Sequence, residues 1–487
     1  MRRFRRVPAA LLVLLAVAAL ESLSWGVLVP ALQGPDESSH LTVVSRIADH
    51  GRLLPGDADQ GLSRELLVTA SEAGFGPLVG NLGARPYWSR IDQARWRLAE
   101  QRLGGQATAL VADPQEGPPV RGANRNPPLY YALLAIPWKL SSGSFIDRVH
   151  LIRLVNVPIF LLAVAATWSL ARTLLPGTPW APPLAAGIVA LWPQLAFLSG
   201  TVDPDILLVA LFSAFMAVAA RILDRGTSRG RVAALCGLAL AASATHARGV
   251  VLLAAAAIVL ILAVSSGRDR SPRRLAALAA GLTIGSVAAL VALTRLTQTT
   301  LTGASTARGI SDPFELRQFV SYVWQFYLPR LGFMDPSIGG DYGVQQAWIR
   351  TFVGTFGSLE IEYPGWVYRG LDVLAVAVLA GFVVALVRYR DVLRGRIRVV
   401  AALTALALAT IGSLHLVAYR TLLIDRTDPI VVGRHLLPLI ALVAIAVAAA
   451  GRALPRHWGR AYAGVVLGTL VALQLGGLGL TLARFYA

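Results

Sequence analysis

The sequence predicts an all-α integral membrane protein, and three observations carry that prediction. Hydrophobic residues make up 55% of the 487 positions and charged ones only 15%, and the mean hydropathy is +0.60. Apolar runs of roughly 18 or more residues recur along the chain, enough to cross a hydrocarbon core of about 30 Å as helices. Only helices and closed barrels satisfy every backbone polar group in lipid, and barrel strands need only about 10 residues. The chain therefore reads as one multi-helix transmembrane domain over 1–487.

The first segment, 8–30, follows the basic cluster Arg2, Arg3, Arg5 and Arg6. Small residues before Glu21 resemble a leader cleavage site, which is the rival reading. The apolar stretch resumes through Trp25-Gly26-Val27-Leu28-Val29, too long for an ordinary leader core, so an uncleaved first helix is expected. Further spans are expected near 151–171, 180–198, 203–222, 231–246, 248–265, 274–294, 367–387, 399–419, 434–451 and 461–483, about eleven crossings in all. Segment 127–140 would rise only about 21 Å as a helix. It is expected to be re-entrant, interfacial or extended by its neighbours.

Arginine asymmetry orients the chain. The short connections 221–231, 268–274, 388–398 and 452–460 are arginine-rich and should be cytoplasmic. Counting back gives an inside N-terminus and places the two long connections, 31–126 and 295–366, on the outer face. The formal charge of +18 is then largely arginine at helix ends beside anionic lipid. No zinc-finger spacing or aromatic-interleaved basic stripe supports a nucleic-acid partner. Lone Cys236 sits in an apolar helix and is expected to pack there. Neither long connection carries a P-loop or dinucleotide fingerprint, which argues against an ATP-driven pump.

Within those connections, surface helices are expected around 87–98 and from Phe314 to Trp324. Trp366 and Tyr368, and also Tyr130 and Tyr131, read first as membrane-interface aromatics.

Polar residues collect on the same outer side. Pro35-Asp36-Glu37-Ser38, followed by His40, lies just past the first hydrophobic segment. Paired carboxylates are costly in hydrocarbon, so chemistry is expected of them: Asp36 first, Glu37 second, His40 assisting. Asp203 and Asp205 occupy a short outer connection, where Asp203-Pro204 is also a helix-start signal. His246 and Arg248 form a turn between apolar helices. Arg420, Asp425, Arg426, Asp428, Arg434 and His435 cluster in 420–435.

A division of labour follows. A carboxylate can activate a hydroxyl or hold a divalent ion such as Mg or Mn, with Asp36 the candidate ligand. Arg248, Arg426 and Arg434 are candidates to grip phosphate oxygens through forked hydrogen bonds. Asp203, Asp205, His246, His435 and Tyr130 are the candidate pocket residues. A polyprenyl phosphate, with its tail in the bilayer and its anionic head at the surface, fits that combination.

Gly34-Pro35-Asp36-Glu37-Ser38-Ser39-His40 resembles the "PDEpaH" signature of the DUF2142 family of bacterial multi-pass proteins. Asn126-Pro127-Pro128-Leu129-Tyr130-Tyr131, Asp203-Pro204-Asp205, the stretch from Trp348 to Gly357, and Gly433-Arg434-His435-Leu436-Leu437-Pro438 resemble its later landmarks. Two departures stand out: Ser38-Ser39 replaces a frequent Pro-Ala, and His435 stands where relatives often carry an aromatic Tyr. The resemblance implies a GT-C-like helix bundle in a bacterial plasma membrane. It further implies transfer of a sugar from a polyprenyl-phosphate-linked donor to an exported glycan or cell-envelope acceptor, with Asp36 the essential carboxylate. The alternative is a transport or non-catalytic protein handling lipid-linked sugars. Because the polar residues sit mostly on one face rather than across the bilayer, the enzyme leads.

Overall fold

The computed structural model describes residues 7–51, 126–265, 314–336, 348–422 and 432–487, with isolated positions at 94, 98 and 281. The chain opens with α1 (Ala9–Leu28) and α2 (Glu37–His50). After the first long connection come α3 (Leu129–Leu140) and α4 (Phe145–Leu174). A capping box starts α4: Ser144 Oγ accepts from the Asp147 amide while Asp147 accepts from the Ser144 amide. It carries the helix several residues ahead of the expected span at 151.

Next are α5 (Ala181–Ala190) and α6 (Pro193–Ser199), which meet at 56°. One straight span was expected over 180–198. Pro193 has no N–H with which to continue the hydrogen-bond ladder of α5, and the axis turns there. Helices α7 (Asp205–Arg225) and α8 (Arg229–Thr245) follow, and a short 3-10 turn leads into α9 (Val251–Val264). The second half holds the surface helix α10 (Leu316–Tyr327), then a two-stranded antiparallel hairpin. In it β1 (Thr355–Phe356) pairs with β2 (Ile361–Glu362), Phe356 opposite Ile361. Then come α11 (Gly365–Arg388) and α12 (Ile397–Leu422). A 3-10 stretch, Gly433–Leu439, runs into α13 (Ile440–Ala450), and α14 (Gly459–Tyr486) ends the chain.

The result is an all-α multi-pass membrane bundle. Among the described residues, eight helices are long and apolar enough to cross a membrane, or nine if the bent α5–α6 pair is one span. Helix α8, at 17 residues, rises about 25 Å. The expected span 274–294 lies outside the described residues except for helical Gly281, as does most of the expected surface helix at 87–98, of which only Ala94 and Leu98 are described, both helical. Helix α3, the short segment, stays at 12 residues and packs on α2 and α4.

Helix α4 is central and packs against α1, α5 and α7. Close backbone approach sets the α1–α6 contact: a Cβ on Gly200 would lie 2.5 Å from the Gly26 nitrogen. Small residues let helices in lipid approach this way. Three tyrosines depart from the interface-anchor expectation. Tyr130, Tyr131 and Tyr368 are fully buried, whereas Trp366 is exposed. Tyr368 Oη donates to the Gly354 carbonyl at 2.8 Å and accepts from the Tyr363 amide at 3.1 Å, latching the hairpin onto α11. Half-buried Cys236 lies within α8.

Of the arginine-rich connections, 268–274 lies outside the described residues, and 221–231, 388–398 and 452–460 gather at one end of the bundle. Arg396, before α12, donates to the Thr173 carbonyl at the end of α4 at 2.8 Å and lies 3.4 Å from Asp224 at the end of α7. The motif residues lie at the other end. Arg153 and Leu174, 21 positions apart on α4, are separated by about 32 Å, a full hydrocarbon thickness.

Candidate active site

After α1 the chain folds back through 29–36. Gly34 makes the turn possible, since a Cβ there would lie 2.9 Å from Thr201 Cβ. Asp36 follows with φ 52° and ψ 13°, left-handed backbone at the N-cap of α2. Asp is among the few side-chain residues that tolerate this region. Its side chain is 57% exposed, and Oδ2 accepts from Arg434 Nη2 at 2.7 Å.

Glu37 faces the opposite way and has no exposed side-chain surface. Its two oxygens take a forked contact from Arg153, Nε at 2.9 Å and Nη2 at 2.7 Å. Oε1 also accepts from the Val202 amide at 3.1 Å, and Oε2 from the Gly34 amide at 3.2 Å. The remaining Arg153 protons bind the carbonyls of Gly26, Val29 and Pro30 at 3.0, 2.7 and 3.2 Å.

The short 200–205 connection supplies the second pair of carboxylates. Asp203 Oδ1 accepts from the Asp205 amide at 2.8 Å, the turn that the Asp-Pro-Asp sequence favours. Its Oδ2 lies 3.9 Å from Arg434 Nη1. The Asp203 amide donates to Tyr130 Oη at 3.1 Å, which donates to Asn156 Oδ1 at 3.1 Å. Asn156 Nδ2 closes the loop on the Thr201 carbonyl at 2.6 Å.

Asp205 forms an ion pair with Arg248, whose Nη1 donates to the His435 carbonyl at 3.2 Å. The His246 ring meets Arg248 at both nitrogens: Nδ1 lies 3.1 Å from the Arg248 amide and Nε2 3.2 Å from its Nη2. A neutral ring accepts at one of these and a protonated ring at neither. On the α2 side, His40 Nδ1 lies 2.9 Å from Tyr131 Oη, which also accepts from Asn126 Nδ2 at 3.1 Å.

The structure thus brings together Asp36, Asp203, Asp205, Arg248, Arg434, His40 and His246, with the His435 backbone at the edge. Glu37 and Tyr130 support them from behind. Arg426 lies outside the described residues. Arg153 and Asn156 are additions that the motifs did not mark. Their only signal was a charge and an amide one turn apart in an apolar span, where polar groups are costly.

The electrostatics separate the groups. Burial works against ionisation of Asp36, but the Arg434 charge and its hydrogen bond, with His40, outweigh it and hold the carboxyl below the usual range. Asp203 goes the other way: burial raises it, only partly offset by Arg434. Two carboxyls in one site are therefore pushed apart, which is how paired carboxyls acquire different roles. Burial pushes His40 down to about 4, opposed by Asp36 and reinforced by Arg434. It also pushes His246 well down, with Arg248 next in effect. Both shifts favour the uncharged ring.

Arg434 retains unused capacity. It is buried, and its Nε and Nη1 have no hydrogen-bond partner among the described residues. Such groups cost free energy unless something accepts from them. A divalent ion fits less well. Asp36 and Asp205 are each taken by an arginine, and no group of three His, Cys, Asp or Glu side chains among the described residues has ligand geometry. The donor set present here suits an anion rather than Mg or Mn.

Among solved structures, ArnT from Cupriavidus metallidurans in its apo state is similar at 14% identity and a TM-score of 0.45, over 97% of this chain and 71% of that one. Its undecaprenyl phosphate complex gives 15% and 0.41 over the same shares. The Archaeoglobus fulgidus oligosaccharyltransferase, in complex with zinc and sulfate, gives 14% and 0.40, over 97% of this chain and 51% of that one. At these scores the likeness says nothing of activity or ligand. No curated protein matches. The family model described as "Predicted membrane protein (DUF2142)" matches residues 21–443, a span that takes in Asp36, Asp203, Arg248 and Arg434, and the chain belongs to that family.

Proposed function

We propose that this protein is a membrane glycosyltransferase that moves a sugar from a polyprenyl-phosphate-linked donor to an exported glycan or cell-envelope acceptor. One observation carries the reading: a buried arginine whose Nε and Nη1 donate no hydrogen bond, Arg434, beside an accessible carboxylate, Asp36. The first is what a phosphate requires, and the second is what an acceptor hydroxyl requires.

In this mechanism Asp36, held ionised by Arg434, takes the proton of the acceptor hydroxyl. The hydroxyl oxygen then attacks the anomeric carbon of the donor sugar, and the bond from that carbon to the phosphate oxygen breaks. Charge gathers on the leaving polyprenyl phosphate, where the free Nε and Nη1 of Arg434 are available to it. Arg248, held by Asp205 and the His435 carbonyl, contributes a second positive charge. Neutral His40 and His246 leave the anion-binding charge to the arginines. The arginine-rich ends face the cytoplasm under this reading. The N-terminus is then inside and the site outside, with about eleven crossings over the whole chain.

The test is sugar transfer by the protein reconstituted in vesicles with a panel of polyprenyl-phosphate sugars and envelope acceptors. Asp36→Asn should abolish transfer while abundance and lipid-phosphate binding stay near wild type. Full transfer by that variant would remove Asp36 from the chemistry. Movement of the lipid-linked sugar with no new glycosidic bond would favour transport instead.

A further inference from the structure

We propose that Glu37 and Arg153 form a positioning pair that fixes Asp36 and Asp203 relative to one another, and that Glu37 is not itself a reacting group. The inference rests on the reading of Asp36 as the reacting carboxylate. Its basis is saturation. An ionised carboxylate offers about four acceptor sites and a guanidinium five donors. Glu37 accepts four hydrogen bonds, from Arg153 Nε and Nη2 and from the Val202 and Gly34 amides. Arg153 uses all five donors, two on Glu37 and three on the carbonyls of Gly26, Val29 and Pro30. Neither group has a site left for a substrate.

The contacts fall on the segments that carry the chemistry. Glu37 directly follows Asp36, and Val202 directly precedes Asp203. One buried carboxylate therefore holds the α1–α2 turn and the 200–205 connection to the same guanidinium on α4. Asp36 in turn reaches Arg434, which also faces Asp203. A buried ion pair is often no more stabilising than apolar residues of equal volume. What this pair provides is geometry: the left-handed Asp36 backbone is fixed on its C-terminal side by Glu37 and on its N-terminal side by the Gly34 contact.

The experiment uses the full chain in lipid nanodiscs with Glu37→Gln, Arg153→Lys and the double variant Glu37→Gln/Arg153→Met. The double variant leaves no orphan charge, so it remains informative should a single variant fail to fold. Two readouts need no sugar donor. Hydrogen exchange of peptides covering 30–37 and 200–205 should accelerate by about tenfold or more, while the far half of α7 (214–225) stays at the wild-type rate. The infrared carboxyl band of Asp36, assigned by its loss in Asp36→Asn, should titrate about one pH unit or more above wild type as Arg434 moves away. Unchanged exchange with an unmoved Asp36 band would overturn the proposal. Uniform acceleration across all helices, with the band unmoved, would also overturn it, because the pair would then serve overall stability alone. Retained transfer by Asp36→Asn would instead sink only the reacting role of Asp36.

Discussion

Arg434 Nη2 donates to Asp36 Oδ2 at 2.7 Å across 398 positions of sequence, joining the first motif of the chain to the last. The same guanidinium keeps Nε and Nη1 for another acceptor. Lysine would preserve the charge and lose the fork. Arg434→Lys is expected to weaken binding of undecaprenyl phosphate by about 1.5–3 kcal/mol, the range for a hydrogen bond to a charged group. Native mass spectrometry of nanodisc-embedded protein titrated with that lipid measures it. Equal affinity in the two proteins would show that the fork does not meet phosphate.

Acid should destabilise the fold through its buried histidines. His40 ordinarily titrates at 6.5 and is pushed to about 4 in the folded chain. Between those values the unfolded chain binds a proton that the folded chain excludes. Stability is therefore complete above about pH 6.5 and declines as pH falls toward 4. His246, also pushed down, acts in the same direction. Unfolding temperatures taken from pH 7.5 to 4.5 should fall, and His40→Gln should lose less over that range, by up to about 3 kcal/mol. Parallel curves for the two proteins would contradict the assignment of a neutral, buried ring.

Tyr130 offers a test of the support behind the site. Tyr130→Phe removes the hydroxyl that links the Asp203 amide to Asn156. Two buried polar groups then lose a partner, at a cost of about 1–3 kcal/mol. Thermal unfolding in nanodiscs should register that loss. An unchanged midpoint would mean that the Asp203 connection is held by other contacts.

Much of this molecule was legible in its sequence because lipid imposes a strong, local signal. Run length marked the eight apolar spans found among the described residues, and Asp203-Pro204-Asp205 marked a helix start where α7 begins. Pro193 was equally visible, yet total run length hid the bend between α5 and α6 that it causes. That the motif residues would share one end of the bundle was legible, since helix connections on one side of a bundle must gather there. Its internal roles were not. Asp36 and Glu37 look equivalent as neighbours, but successive residues entering a helix point about 100° apart. One consequently faces Arg434 and the other Arg153. The Glu37 partner lies 116 positions away, inside an apolar run where a lone arginine reads as a span with one blemish.

In the proposed reaction Arg434 and Arg248 receive a lipid phosphate beside Asp36. A cryo-EM structure of the full chain with undecaprenyl phosphate tests it most directly. Phosphate oxygens should lie within hydrogen-bond distance of Arg434 Nε and Nη1, with the ester oxygen turned toward Asp36. Phosphate held at the arginine-rich opposite end of the bundle, with Arg434 still unpartnered, would contradict it.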